Sequence, residues 1–238
     1  MGTVGKLMGR KAIVTGGTKG IGKAIARKLL EGGAEVAICG RSEEGVKRAV
    51  EELGRETGGK VLGGVCDITD VASVLKFFAL TDDGLGSLDV LVNNAGVGIF
   101  RPVAEMSSED WRRVLDTNLT GVFHCCHVAM ERFRKNGKGF IVNISSLAGK
   151  NPFAGGAAYN ASKFGLNGFG EALMLDHRNE NIRVCTVMPG SVSTDYGGGR
   201  AEWKIQPEDV AEVVRMVLEM PERTMVSAVE IRPSRPTK

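Results

Sequence analysis

Tyr159 and Lys163 stand four residues apart in YNASK, inside a stretch patterned as a helix. Side chains at i and i+4 share one helix face, so a phenol and an ammonium project together. An unperturbed phenol has a pKa near ~10, too high for a good base at neutral pH. A neighbouring ammonium favours the phenolate and lowers that pKa. Such a pair can act as a general acid and, once ionised, as a general base.

A second chemical signal is TGGTKGIGKA, residues 15–24. Read from Gly17 it is nearly a P-loop, and read from Gly16 it is a glycine-rich dinucleotide turn. Both cradle phosphate with backbone N–H groups at a helix N-terminus. A P-loop wants Ser or Thr after its Lys, and that position is Ala24. Asp67, ending VCD, could still pass for the acid of a phosphoryl-transfer site. The glycines Gly16, Gly20 and Gly22 give G-x-x-x-G-x-G, which is not the G-x-G-x-x-G spacing either. The turn alone does not decide.

The elements around these residues alternate. KAIVTGG, AEVAICG, KVLGGVCD, LDVLVNNAG, GFIVNISS, NIRVCTVMP and SAVEIRP read as short apolar strands. Between them lie helical patterns: GIGKAIARKLLEGG with a glycine stop, SEEGVKRAVEELGRETGG, a helix around Val71–Leu80, a long stretch over 107–137 that divides into one or two elements, Ala158–Asn179 and Pro207–Met220. This βα alternation with continuously apolar strands predicts an α/β fold, a single doubly wound parallel sheet with helices on both faces. No linker, repeat or low-complexity segment interrupts it, so residues 1–238 read as one Rossmann-type domain.

Composition narrows the class. A chain of 238 residues, 42% hydrophobic and 25% charged, suits an ordinary globular domain. A formal charge of +3 with no basic, aromatic-rich stripe gives no nucleic-acid footprint. No apolar stretch reaches the ~20 residues of a membrane span, and MGTVGKLMGRK lacks the apolar core of a signal peptide. Cys39, Cys66, Cys125, Cys126 and Cys185 are odd in number without C-x-x-C, which suggests reduced thiols in a cytoplasmic protein.

Five motifs in order carry a resemblance: TGGTKGIG, NNAG at 93–96, Asn118, a serine after the fifth strand with YNASK at 159–163, and PGSVST at 189–194. Their order and spacing resemble the short-chain dehydrogenase/reductase family, in particular its 3-oxoacyl-reductase-like and carbonyl-reductase-like members. The resemblance runs from about residue 9 to 194. It implies a Rossmann fold and reversible hydride transfer between a nicotinamide and a carbonyl, with Tyr159 as acid and Lys163 holding the cofactor ribose. The family spacing of thirteen residues places the assisting serine at Ser146, with Ser145 facing the other way. Asn118 matches the helix asparagine that anchors a water chain to the lysine.

The resemblance also implies cofactor contacts from Gly16, Thr18, Lys19, Gly20, Ile21, Gly22, Arg41, Ser42, Asp67, Ile68, Asn94, Ala95, Gly96, Pro189, Gly190, Val192 and Thr194, besides Tyr159 and Lys163. An NAD site would carry an acid twenty-four residues after the first glycine; here that residue is Gly40, followed by Arg41 and Ser42. With Lys19 in the glycine turn, two cations flank the place of a 2′-phosphate, and guanidinium suits phosphate through its fork of donors. The expected cofactor is NADP(H).

The expected activity is NADPH-dependent reduction of a ketone or aldehyde, on small ketones, diketones or 3-oxoacyl-type substrates. The alternative is a non-catalytic NADP-binding regulator on the same fold, which would be expected to have lost part of the catalytic set. No metal is expected: in His124-Cys-Cys-His127 the two cysteines cannot share a helix face with both histidines. Apolar residues around much of the helices after Ser108 and Ala158 (Val122, Phe123, Val128, Met130, Phe133, Phe164, Leu166, Phe169, Leu173, Met174) predict a homotetramer or homodimer. Residues 195–206 form a short substrate-side loop, and its three glycines, Gly197–Gly199, suggest a mobile lid over a pocket edged by Phe100, Phe153, Tyr196 and Trp203.

Overall fold

In a computed structural model, residues 7–194 and 201–235 are described. The chain alternates β1 (Lys11–Thr15), α1 (Gly20–Glu31), β2 (Glu35–Gly40), α2 (Glu43–Thr57), β3 (Val61–Val65), α3 (Val71–Leu85), β4 (Val90–Asn93), α4 (Ser108–Leu115), α5 (Gly121–Asn136), β5 (Gly139–Ile144), α6 (Ala157–His177), β6 (Ile182–Pro189), α7 (Pro207–Leu218) and β7 (Ala228–Ile231). The strands make one seven-stranded sheet in the order β3-β2-β1-β4-β5-β6-β7, and every neighbouring pair is parallel. This is the doubly wound Rossmann arrangement. β1 pairs with β2 on one side and β4 on the other, so the winding reverses there and a crevice opens beyond the strand carboxyl ends.

Two apolar layers cover the faces. On one, Ile25 and Leu29 of α1, Leu53 of α2 and Val210 and Val214 of α7 pack on Val14, Val36, Val92 and Val187. On the other, Phe77 of α3, Val122 and Phe133 of α5 and Leu166 and Leu173 of α6 pack on Ile13, Leu91, Ile141 and Val184. With both faces covered, the strands must be apolar on both, which is why they read as unbroken runs.

Several boundaries differ from the sequence expectation. α3 runs on to Leu85 because Thr81 and Leu85 are themselves buried, and it stops at the left-handed Gly86. The 107–137 stretch is two α-helices joined by a π-helical turn over Asp116–Thr120. α6 ends at His177, where a short 3₁₀ turn over Arg178–Glu180 leads to Asn181 at φ 62°. Pro207 opens α7 as expected, and Asp209 accepts from the Gln206 N–H at 2.8 Å.

Candidate active site

The turn after β1 is shaped by its neighbours as much as by its glycines. Gly16 has φ 64°, and a Cβ there would lie 2.9 Å from the Ala95 Cα. Gly22 packs so tightly that a Cβ would lie 2.4 Å from the Gly16 carbonyl oxygen. Asn94 staples the turn: its Nδ2 donates to the carbonyls of Thr15 and Gly16 at 3.0 and 3.1 Å. Thr15 completes the staple, its Oγ1 accepting from the N–H groups of Asn94 and Ala95. No pattern in a single sequence singled out Thr15, because its role depends on β4 lying beside β1.

Lys19 precedes the first turn of α1 without a side-chain cap. The first N–H groups of that helix therefore face the crevice without a side-chain partner from the cap position. Gly20, at φ 55°, has only Thr194 near its absent Cβ, at 3.5 Å. This is a cradle for a phosphate anion. A Cβ on Gly40 would come within 2.7 Å of the Thr18 side chain, so an acidic side chain there would displace Thr18. Lys19, Arg41 and Ser42 line that end of the crevice together. The residues present fit a nicotinamide dinucleotide.

Across the sheet, β5 delivers Ser145 and Ser146, and α6 delivers Tyr159 and Lys163. Ser146 faces the crevice; its side chain hydrogen-bonds Tyr159 and accepts from the Ala148 N–H at 3.1 Å. Ser145 faces α6 and bonds Asn167 at 2.5 Å. Asn167 also donates to the Gly149 carbonyl at 3.0 Å, so it ties α6 to the turn that carries Ser146. The buried Lys163 ammonium donates to the Ile144 carbonyl at 2.9 Å. Burial lowers its pKa to about 8. Burial raises the Tyr159 pKa, and the bond from Ser146 draws it part of the way back. The expected lowering by a neighbouring ammonium is not what governs Tyr159 here; desolvation outweighs it.

A single cleft of about 1310 Å³ joins the glycine turn to this group. Of the residues expected to bind or react, Gly16, Thr18, Lys19, Gly20, Ile21, Arg41, Ser42, Asp67, Ile68, Asn94, Ala95, Gly96, Ser146, Tyr159, Lys163, Pro189, Gly190, Val192 and Thr194 line it. Gly22 and Asn118 lie behind its wall. Asn118 sits in the π-helical turn, fully buried, and pairs both ways with the Val97 backbone at 2.8 Å while donating to Ser162 at 3.0 Å. Its side chain braces the wall rather than facing the cleft.

Phe100, Phe153 and Trp203 line the cleft. Tyr196 and Gly197–Gly199, with the lid reading placed on them, lie outside the described residues. The far end of that loop is pinned: Ser193 N–H donates to the Ile205 carbonyl at 2.7 Å and Ile205 N–H to Ser191 at 3.0 Å. In α5, His124 Nδ1 lies 3.1 Å from the Ile68 carbonyl, while Cys125 and Cys126 are buried. Among the described residues no helix is long and apolar enough to cross a membrane.

A family model described as short chain dehydrogenase matches residues 10–205. A 3-oxoacyl-(acyl-carrier-protein) reductase of Chlamydia muridarum is 39% identical over 200 residues, covering 82% of this chain and 79% of that protein. A 3alpha-hydroxysteroid dehydrogenase of Mediterraneibacter gnavus is 35% identical over 202 residues, covering 84% and 81%. Among solved structures, a metagenomic short-chain oxidoreductase in complex with NADP superposes with a TM-score of 0.86 at 37% identity, covering 97% of this chain and 100% of that one.

Proposed function

From the premise that this chain belongs to the short-chain dehydrogenase/reductase family and is an oxidoreductase, we propose that it reduces ketones or aldehydes to alcohols with NADPH, in one domain that unites cofactor and substrate sites. The observation that carries this reading is the hydrogen bond between Ser146 and Tyr159 inside the cleft that also holds the glycine cradle. The NADP complex of a related chain at 37% identity supports the cofactor class. The Lys19–Arg41 end and the steric exclusion of an acid at Gly40 support NADP over NAD.

Bound NADPH supplies the hydride to the carbonyl carbon. The chain's own residues do the rest. Ser146 donates a hydrogen bond to the carbonyl oxygen, where negative charge develops. Tyr159 transfers its phenolic proton to that oxygen, giving the alcohol. Its raised pKa keeps the proton in place through neutral pH. Lys163, buried one helical turn on from Tyr159, holds the cofactor ribose and supports the tyrosinate left behind. Asn118 and Ser162 brace the wall that positions Val97 against the cleft.

Substrates of the reading are small ketones, diketones and 3-oxoacyl-type compounds. The non-catalytic alternative is disfavoured because no member of the proton-transfer set is missing. A homo-oligomer remains part of the proposal on narrower ground than the sequence suggested. Val122, Val128, Met130, Phe133, Leu166 and Leu173 are buried within the chain, whereas Phe123, Phe164 and Leu175 are exposed.

The test is loss of NADPH absorbance with a carbonyl panel that includes a 1,2-diketone and an acetoacetyl thioester. Purified protein that binds NADPH and oxidises it with none of them would refute the carbonyl-reductase reading.

A further inference from the structure

Two cations that line the cleft, Arg113 and Arg232, have no part in the cofactor reading. Arg232 and Pro233, just past β7, line the same cleft as Ser146 and Tyr159. The register of the sheet puts them there. Ile231 pairs with Pro189, and its carbonyl accepts the Gly190 N–H at 2.8 Å. Pro233 and Leu147 both close on Gly190: a Cβ on Gly190 would lie 3.1 Å from Leu147 and 3.3 Å from Pro233.

Distance separates Arg232 from the phosphate end. β7 and β2, which carry Arg232 and Arg41, are five strand positions apart in the sheet order, roughly 24 Å at ~4.8 Å per strand. β5, which delivers Ser146, is two positions from β7, about 10 Å. A cation placed there serves the substrate end.

The charges around it leave a positive remainder. The Arg232 guanidinium meets Glu230 at 2.8 Å through one terminal nitrogen, and Lys150 pairs with the same carboxylate. Both cations hold the Glu230 carboxyl below its ordinary range, Lys150 the more strongly. Two cations share one anion, and the Arg232 side chain is 57% exposed. The cleft also has an apolar wall: Phe100 lies 5.6 Å from Phe153 and 5.5 Å from Tyr159, centre to centre.

We propose that this enzyme's substrate is an oxo anion, held by its carbonyl at Ser146 and Tyr159, by an apolar stem along Phe100 and Phe153, and by a carboxylate or phosphate group at Arg232. Arg232 is thus a specificity-determining residue of the site. This rests on the carbonyl-reductase reading.

The experiment compares matched pairs: 3-, 4- and 5-oxo carboxylic acids with their methyl esters, and dihydroxyacetone phosphate with dihydroxyacetone. In the parent enzyme the anionic member of at least one pair should be favoured in kcat/KM by about tenfold, the scale of one charge-assisted contact. The pair with the largest ratio identifies carboxylate or phosphate. Arg232→Gln should cut that ratio about tenfold through KM, with kcat little moved. Arg232→Lys, which keeps a point charge, should retain the ratio to within about threefold. Glu230→Gln should raise it, by freeing both cations. A merely structural Arg232–Glu230 pair would lower the ratio in both variants or in neither, and either result would overturn the proposal. Failure of every carbonyl, charged or neutral, would instead overturn the reductase reading.

Discussion

The Lys163 ammonium lies 5.7 Å from the centre of the Tyr159 ring, and it donates at 2.9 Å to the carbonyl of Ile144. One helical turn thus brings a cation to the acid, while the last residue of β5 fixes its height in the cleft. The charge is costly where it sits. Lys163 is nearly fully buried, and its pKa falls to about 8 from an ordinary 10.5.

That shift has a definite sign. Below pH 8 both the folded and the unfolded chain hold the proton, and the folded state bears the full penalty. Between about 8 and 10.5 the unfolded chain binds more protons, so this group's contribution to stability rises with pH. Replacing Lys163 with Met should therefore help the apoprotein more at pH 7 than at pH 10, by roughly 2–3 kcal/mol. Thermal melts at the two pH values measure the difference; equal effects would contradict it. In the parent, kcat/KM for ketone reduction should fall as pH rises through about 8, as Lys163 loses its charge.

Tyr159→Phe removes the proton donor and little else. Turnover should fall by ~10²–10⁴-fold, the usual contribution of one positioned acid. NADPH binding, followed by fluorescence titration, should stay within about threefold of the parent. More than about a tenth of parental activity in the variant would mean that another group supplies the proton.

Arg41→Ala should weaken NADPH by about one to two decades, the scale of a charge-assisted contact, and NADH far less. Steady-state kinetics with both cofactors reads this directly. A parent enzyme equally efficient with the two would remove the case for the 2′-phosphate.

Two glycines should respond in opposite directions. A Cβ on Gly22 would lie 2.4 Å from a backbone oxygen, which cannot move aside without opening the turn. Gly22→Ala should cost at least ~1–3 kcal/mol and abolish tight NADPH binding. In α2, a Cβ on Gly54 would meet Val61 at 3.6 Å, an ordinary contact. Gly54→Ala should stabilise by ~0.5–1 kcal/mol, which for a chain of this size is about 1–4 °C in Tm.

Phe123, Phe164 and Leu175 are exposed on α5 and α6. Sedimentation at micromolar concentration should give a dimeric or tetrameric mass, and charged substitutions at Phe123 and Phe164 should lower it. A monomeric parent would refute the assembly.

The alternation of strands and helices, the glycine turn and the pairing of Tyr159 with Lys163 were all legible in the sequence, because each is set by contacts within a few residues. The i and i+4 spacing needs nothing but a helix. What the turn after β1 faces is another matter. Tyr159 lies 143 positions after Gly16 by its number, and only the strand order brings α6 and β1 to one crevice. The same non-local reason explains what the sequence left open. Val122, Val128, Met130, Phe133, Leu166 and Leu173 are apolar in any reading, but periodicity cannot say whether a sheet or a second subunit covers them, and the sheet and its neighbouring helices do. Asn118 carries a family position, yet the π-helical turn aims its amide at the Val97 backbone behind the cleft. Arg232 carried no signal at all. It enters the site because β7 pairs with β6 in a register that sets Ile231 beside Pro189, and a register between strands is a property of the folded sheet, not of either strand.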